Sequence, residues 1–267
     1  MVDIGYLASI NDTSNSLDDF TTQKEKLYSA KSVLESIAGE PVNGANPYYG
    51  LFDENTVQSL IDDKYKFVIT DSLTDRSVPK SIIRGNDKLI SITKTARDDY
   101  EVIRDFGLNL PEYQRYTYQE DVDRILFEGG LYVFKLHTEY QCRPENVNVV
   151  RQIIKDLKQK YFWITTASEI SKWFSKKDKI EVRVEPRGEN RVVVTVSNPG
   201  DNTINSLVVK VDLNQPATRI KLSTEIIGTK LAKYEFDKVN KTVYLYINDL
   251  EKGESRTYYV DYTKPNA

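Results

Sequence analysis

The periodicity of this 267-residue chain changes along its length. The first two-thirds alternate apolar strand-like runs with amphipathic helices, and the last third carries strand after strand without a helix. One layer architecture does not accommodate both patterns, so the change near residues 175–179 predicts a boundary, with an α/β domain over 1–178 and an all-β domain over 179–267. In the second part, period-two runs fall at 180–185, 191–197, 207–213, 219–222, 231–236, 242–247 and 256–262. They are punctuated by Pro186-Arg187-Gly188, Asn198-Pro199-Gly200 and Lys252-Gly253. Strands at this spacing predict an immunoglobulin-like sandwich.

In the first part, Leu27, Ala30, Leu34 and Ile37 recur at helical spacing, Gly39 supplies a stop and Pro41 prevents resumption. Asp53 is placed to cap a helix carrying Val57, Leu60 and Ile61, which leads into a strand over 65–70. Helices are predicted around 98–106 and 118–127, the second ended by Gly129-Gly130. A strand over 131–136 leads to His137, then to a helix opened by Pro144 with Val147, Val150, Ile154 and Leu157 on one face. A further strand over 161–164 precedes Thr166 and Glu169, a capping box for a helix bearing Ile170, Trp173 and Phe174. Residues 1–5 read as the start of a strand. The βαβα order predicts a parallel sheet or a barrel.

Counts of residue types exclude several classes of function. With 39% hydrophobic and 11% aromatic residues the chain can bury a core, while a mean hydropathy of -0.52 and the lack of any run near 18 apolar residues argue against a membrane-spanning helix. The net charge is -3, from 23 basic against 28 acidic residues before position 179 and 14 against 12 from there on, so no nucleic-acid partner is expected. One cysteine, Cys142, forbids an internal disulfide. One histidine, His137, forbids any metal site that needs two imidazoles from this chain, and no tightly held metal or other cofactor is expected.

In parallel α/β folds reactive side chains sit at the carboxyl ends of strands, and His137 follows an apolar run in that position. A lone histidine that only caps a strand is the competing reading. The loop from Asn43 to Gly50 presents Asn46, Pro47, Tyr48 and Tyr49, two flat aromatic faces with hydroxyl tips that suit sugar rings; a rigid loop packed by its tyrosines fits the same residues. Asp71 and Asp75 follow the strand ending at Thr70 and read as site acids or as turn residues. Cys142 beyond His137 evokes a thiol–imidazole pair, but no oxyanion hole accompanies it.

Several segments together resemble one family. They are Asp3-Ile4-Gly5, the helix ending in Leu34 to Val42, Asn46-Pro47-Tyr48-Tyr49-Gly50-Leu51-Phe52-Asp53, Val133-Phe134-Lys135-Leu136-His137, and Trp163-Ile164-Thr165-Thr166. Over about residues 3 to 174 the chain resembles the NodB-type polysaccharide deacetylases, carbohydrate esterase family 4. The resemblance implies a partial (β/α) barrel and, in the family, a divalent metal that activates water to hydrolyse an acetyl group on a glycan. It places the family's two metal-binding histidines on Leu7 and Asn11, neither of which offers an imidazole. It also places the family's general-acid histidine on His137, and Asn46 where the family's loop has arginine. The implied partner is a polysaccharide or oligosaccharide at the cell envelope or outside the cell, bound by Asn46, Pro47, Tyr48, Tyr49 and Asp71, with hydrolysis impaired. Two other readings stand beside it: an active deacetylase whose barrel is completed by upstream sequence or a partner chain, and a structural or adhesion spacer.

Overall fold

The computed structural model describes residues 5–8, 17–47, 50–71, 78–224 and 231–265, with only the backbone of 5–8. The fold is mixed α/β, and the chain divides into two compact units, Met1–Ser171 and Lys172–Ala267.

The first unit is built on a five-stranded sheet of order β1-β2-β3-β5-β4. Strands β1 (Gly5–Ala8), β2 (Gly44–Pro47), β3 (Phe67–Thr70) and β5 (Asp87–Thr93) are parallel, and β4 (Lys80–Arg84) pairs antiparallel with β5. Helix α1 (Phe20–Ala38) joins β1 to β2, and α2 (Glu54–Asp62) joins β2 to β3. The apolar faces of both helices close a core with Leu27, Val42, Ala45, Val57, Leu60, Val68 and Leu89. Gly39 ends α1 in the left-handed conformation and donates its N–H to Glu35, as the sequence predicts. Leu27 is buried, whereas Ile37 is 79% exposed, so the predicted stripe meets the core only along the earlier turns.

Asp53 caps α2 with a reciprocal pair: its carboxylate accepts the Thr56 N–H at 2.8 Å, and the Thr56 hydroxyl accepts the Asp53 N–H at 3.1 Å. Burial pushes the Asp53 carboxyl up, but the bonds from Thr56 and Gln23 outweigh it and hold the group below the ordinary carboxylate range. A depressed folded value stabilises above the unfolded one, about 3.9, and is lost as pH falls through the folded value. Asp53→Ala is therefore expected to lower stability by about 1 kcal/mol at neutral pH. The loss should shrink in acid, and thermal melts of both proteins at pH 7 and in acid check it; an equal loss at both would contradict this account.

Beyond β5 come a π-helical turn (Tyr100–Asp105), α3 (Pro111–Glu128), α4 (Val147–Gln159) and α5 (Ala167–Lys177), within which the division between the units falls. In α4 the buried stripe is Val149, Ile153 and Leu157, so of the predicted face Leu157 is buried, whereas Ile154 is 41% exposed. Thr166 accepts the Glu169 N–H at 3.3 Å, one arm of the predicted capping box.

Two predicted strands need correction. Residues 131–137 lie outside any strand: only the short stretch after β5 meets them, where the Thr95 hydroxyl donates to Leu131 O and accepts the Val133 N–H, and the N–H groups of Thr95 and Ala96 both reach Val133 O at 3.3 Å. Residues 161–165 are likewise outside any strand, with Trp163 and Ile164 turned to solvent. No closed barrel forms among the described residues.

The second unit contains two antiparallel sheets, β6-β7-β12-β9 and β10-β11-β8. Their strands are β6 (Glu181–Pro186), β7 (Arg191–Ser197), β8 (Leu207–Asp212), β9 (Arg219–Thr224), β10 (Lys233–Asp237), β11 (Thr242–Ile247) and β12 (Ser255–Thr263). They follow the seven predicted runs closely. Alternate residues of both sheets, among them Val194, Val196, Val209, Val211, Leu245 and Val260, enter one shared apolar core.

Candidate functional site

Polar side chains gather where β3 and β5 end, because a parallel sheet directs the residue after each strand into the loops at one rim. Asp71 follows β3 and Lys94 follows β5, and the hydroxyls of Thr70 and Thr93 meet at 3.1 Å one step earlier. The Lys94 ammonium, buried behind them, lies 3.2 Å from Asp71 Oδ1, 3.0 Å from Asp98 Oδ2 and 2.9 Å from Glu101 Oε2. Burial pulls the lysine's pKa down, yet the bonds to Glu101 and Asp98 and the charges of Asp98 and Asp71 outweigh it and hold it raised, so Lys94 is charged. Gly50, with φ +66, closes on the same rim: a Cβ there would stand 2.5 Å from the Asp71 Cβ. Gly50, after β2, and Asp71, after β3, thus lie side by side.

His137 is held by Asp99, a carboxylate with no exposure to solvent. Asp99 Oδ2 accepts the N–H of His137 at 2.7 Å and of Gln141 at 3.1 Å, and Oδ1 lies 2.6 Å from His137 Nδ1. A carboxylate only accepts, so the network assigns the proton to Nδ1 and leaves Nε2 as the basic nitrogen. The arrangement is backed by Gln141, whose side chain accepts the Tyr118 hydroxyl at 2.9 Å and donates to Asn146 O. Burial, then the charge of Asp99, raises the Tyr118 phenol, which stays a neutral donor. Tyr100 and Tyr140 flank the imidazole, with ring centres 5.9 and 6.1 Å away, and Arg104 lies over Tyr100. The imidazole itself is about a quarter exposed. A histidine oriented by a buried carboxylate and edged by aromatic rings can accept or donate one proton at Nε2 to a polar ligand.

Compared with solved structures, 64% of the chain matches 62% of a protein described as a polysaccharide deacetylase from Mycobacterium smegmatis, with a TM-score of 0.53 and 21% identity. This is the polysaccharide-deacetylase fold. A protein described as a polysaccharide deacetylase from Pseudomonas aeruginosa (TM-score 0.49, 18% identity, 65% of this chain and 57% of that one) is similar as well. So is Puue allantoinase (0.48, 19%, 59% and 54%). The chain spans about 62% of the length of the Mycobacterium smegmatis protein. No family model matches the chain, and no curated protein does.

Within the deacetylase fold, the predicted residues fall into three sets. Asp71 and His137 lie at the ends of β3 and of the run 131–137, each with a charged partner, Lys94 and Asp99. Asn46 and Pro47 belong to β2 itself, not to a loop, since β1 pairs with both of them, Leu7 with Asn46 and Ala8 with Pro47. Tyr48, Tyr49, Asp75 and Asn11, and the side chain of Leu7, lie outside the described residues. Cys142 is exposed, and the Nδ1 of His137 is committed to Asp99 rather than to a thiol. Asp99, Lys94, Tyr100 and Tyr140 escape the sequence reading; the doublet Asp98-Asp99 just past a strand end was the signal available.

Among the described residues no three His, Cys, Asp or Glu side chains form a group that could hold a metal ion. The carboxylates of Asp71, Asp98 and Glu101 are already gathered around a lysine. No helix among the described residues is long and apolar enough to cross a membrane.

Proposed function

We propose that residues 1–178 form a deacetylase-type partial (β/α) barrel domain that binds acetylated glycans at its strand-end rim without hydrolysing them efficiently, and that residues 179–267 are an immunoglobulin-like accessory sandwich. The observation that carries the reading is the Asp99–His137 pair: a buried carboxylate fixes one tautomer of a partly exposed imidazole at the end of a run that the sequence aligns with the family's general acid. His137 Nε2 is the group that meets an acyl or hydroxyl oxygen. Tyr100 and Tyr140, together with Tyr48 and Tyr49, which follow β2 in the sequence, offer rings for a sugar to stack on. Asn46, Pro47 and Asp71 complete the binding surface. Cell-envelope or extracellular polysaccharide is the partner this reading favours.

Calorimetric titration of the full chain with acetylated and fully deacetylated chito-oligosaccharides tests the proposal. Wild type is expected to bind the acetylated series, and His137→Ala to weaken it about fivefold, the effect of one hydrogen bond. Tyr48→Ala and Tyr49→Ala should each weaken both series. Affinity for no glycan, or affinity unchanged by all three substitutions, would favour a structural spacer. Release of acetate at a rate abolished by His137→Ala would replace the binding reading with an active deacetylase.

A further inference from the structure

We infer that Lys94 is a positioning residue for the Asp99–His137 pair, acting through the turn that carries Asp99. The inference rests on the reading of His137 as the polar group of the site. Asp98 and Glu101 close this turn on each other: the Asp98 N–H donates to Glu101 Oε2 and the Glu101 N–H to Asp98 Oδ1, both at 2.8 Å. Asp99 lies inside it. The same two carboxylates take two of the three N–H donors of Lys94, and Asp71 faces the third. Without the ammonium, three carboxylates drawn to one point would repel, and the turn would lose what holds its two ends together. Lys135 does not substitute, since its ammonium reaches only Asp71, at 3.8 Å. With three acceptors around it, Lys94 has no donor left for a ligand, so its effect on the site passes through the backbone position of Asp99, from which that carboxylate reaches a histidine 38 residues later.

The chain has one histidine, so the ¹⁵N imidazole spectrum of labelled full-length protein reports this pair alone. In wild type the neutral imidazole is expected as the Nδ1–H tautomer. In Lys94→Met the ratio of Nδ1–H to Nε2–H should fall about tenfold, the weight of one charge-assisted hydrogen bond. Asp71→Asn, which removes a partner of Lys94 outside the turn, should leave the ratio unchanged. If Lys94→Met does not fold, Glu101→Gln serves instead: its amide oxygen can still accept the Asp98 N–H while the charge facing Lys94 is gone, and the ratio should fall about threefold. A folded Lys94→Met or Glu101→Gln protein with the wild-type spectrum overturns the inference, as does a shift in Asp71→Asn equal to that in Lys94→Met. A wild-type spectrum without the Nδ1–H tautomer overturns the assignment of the pair itself, and with it the proposed function.

Discussion

Replacing Asp121 by alanine is expected to destabilise the first unit by about 3 kcal/mol, the lower end of what breaking a buried ion pair costs. Asp121 has no solvent exposure and sits in α3, where Oδ2 accepts the Arg97 N–H at 2.9 Å and Nε at 3.0 Å. Its Oδ1 accepts Arg97 Nη2 at 3.0 Å and Arg124 Nη2 at 2.7 Å. The two arginines keep about a third of their side chains in water, which places the loss near the lower bound. Arg97 directly precedes Asp98 and Asp99, so this carboxylate also roots the segment that bears the candidate site. Urea unfolding followed by hydrogen exchange at α3 amides measures the effect; a change below about 1 kcal/mol would mean that the arginines find other partners.

An effect of similar size is expected in the second unit from Leu245→Ala. Leu245 is fully buried in β11, in register with Val209 of β8 and Tyr234 of β10, and its truncation leaves a cavity that rigid sheets fill poorly. The expected loss is about 2–5 kcal/mol. Val208→Ala, one residue from Leu245's partner but on the exposed face of the same sheet, should change stability by less than about 0.5 kcal/mol. Native-state hydrogen exchange of β8 and β11 amides separates the two. Comparable losses would show that the alternation along β8 does not divide core from solvent.

The elements legible in the sequence were those whose signals are local. Gly39 and Asp53 mark helix ends through their own backbone angles and caps, and the period-two runs after residue 180 report which side chains face the shared core. The apolar runs 131–136 and 161–164 misled because hydrophobicity reports burial, not strand pairing. Tyr132, Phe134 and Phe162 do pack on a core, but the segments that carry them lie outside any strand. Conversely, Gly44-Ala45-Asn46-Pro47 has no strand-favouring side chain and becomes β2 through its neighbours. At the site, His137 was visible from its place after an apolar run. Its partner was not, because Asp99 and His137 meet only after the chain has passed through α3. Lys94 was hidden for the opposite reason: a lysine after a strand reads as a solvated charge until three carboxylates fold over it.

The π-helical turn over Tyr100–Asp105 makes segment length a determinant in its own right. Phe106 donates its N–H to Glu101 O, five residues back, so the turn holds one residue more than an α-helix would. Deleting Ile103 or Asp105, neither of which touches the pair, would restore ordinary helical phase and rotate the Asp98–Asp99 end of the turn by roughly 100° relative to its Phe106 end. Asp99 and Tyr100 would then point away from His137, although every contacting side chain was still encoded. Within this turn a change of length is therefore expected to disrupt the pair as substituting one of its members would.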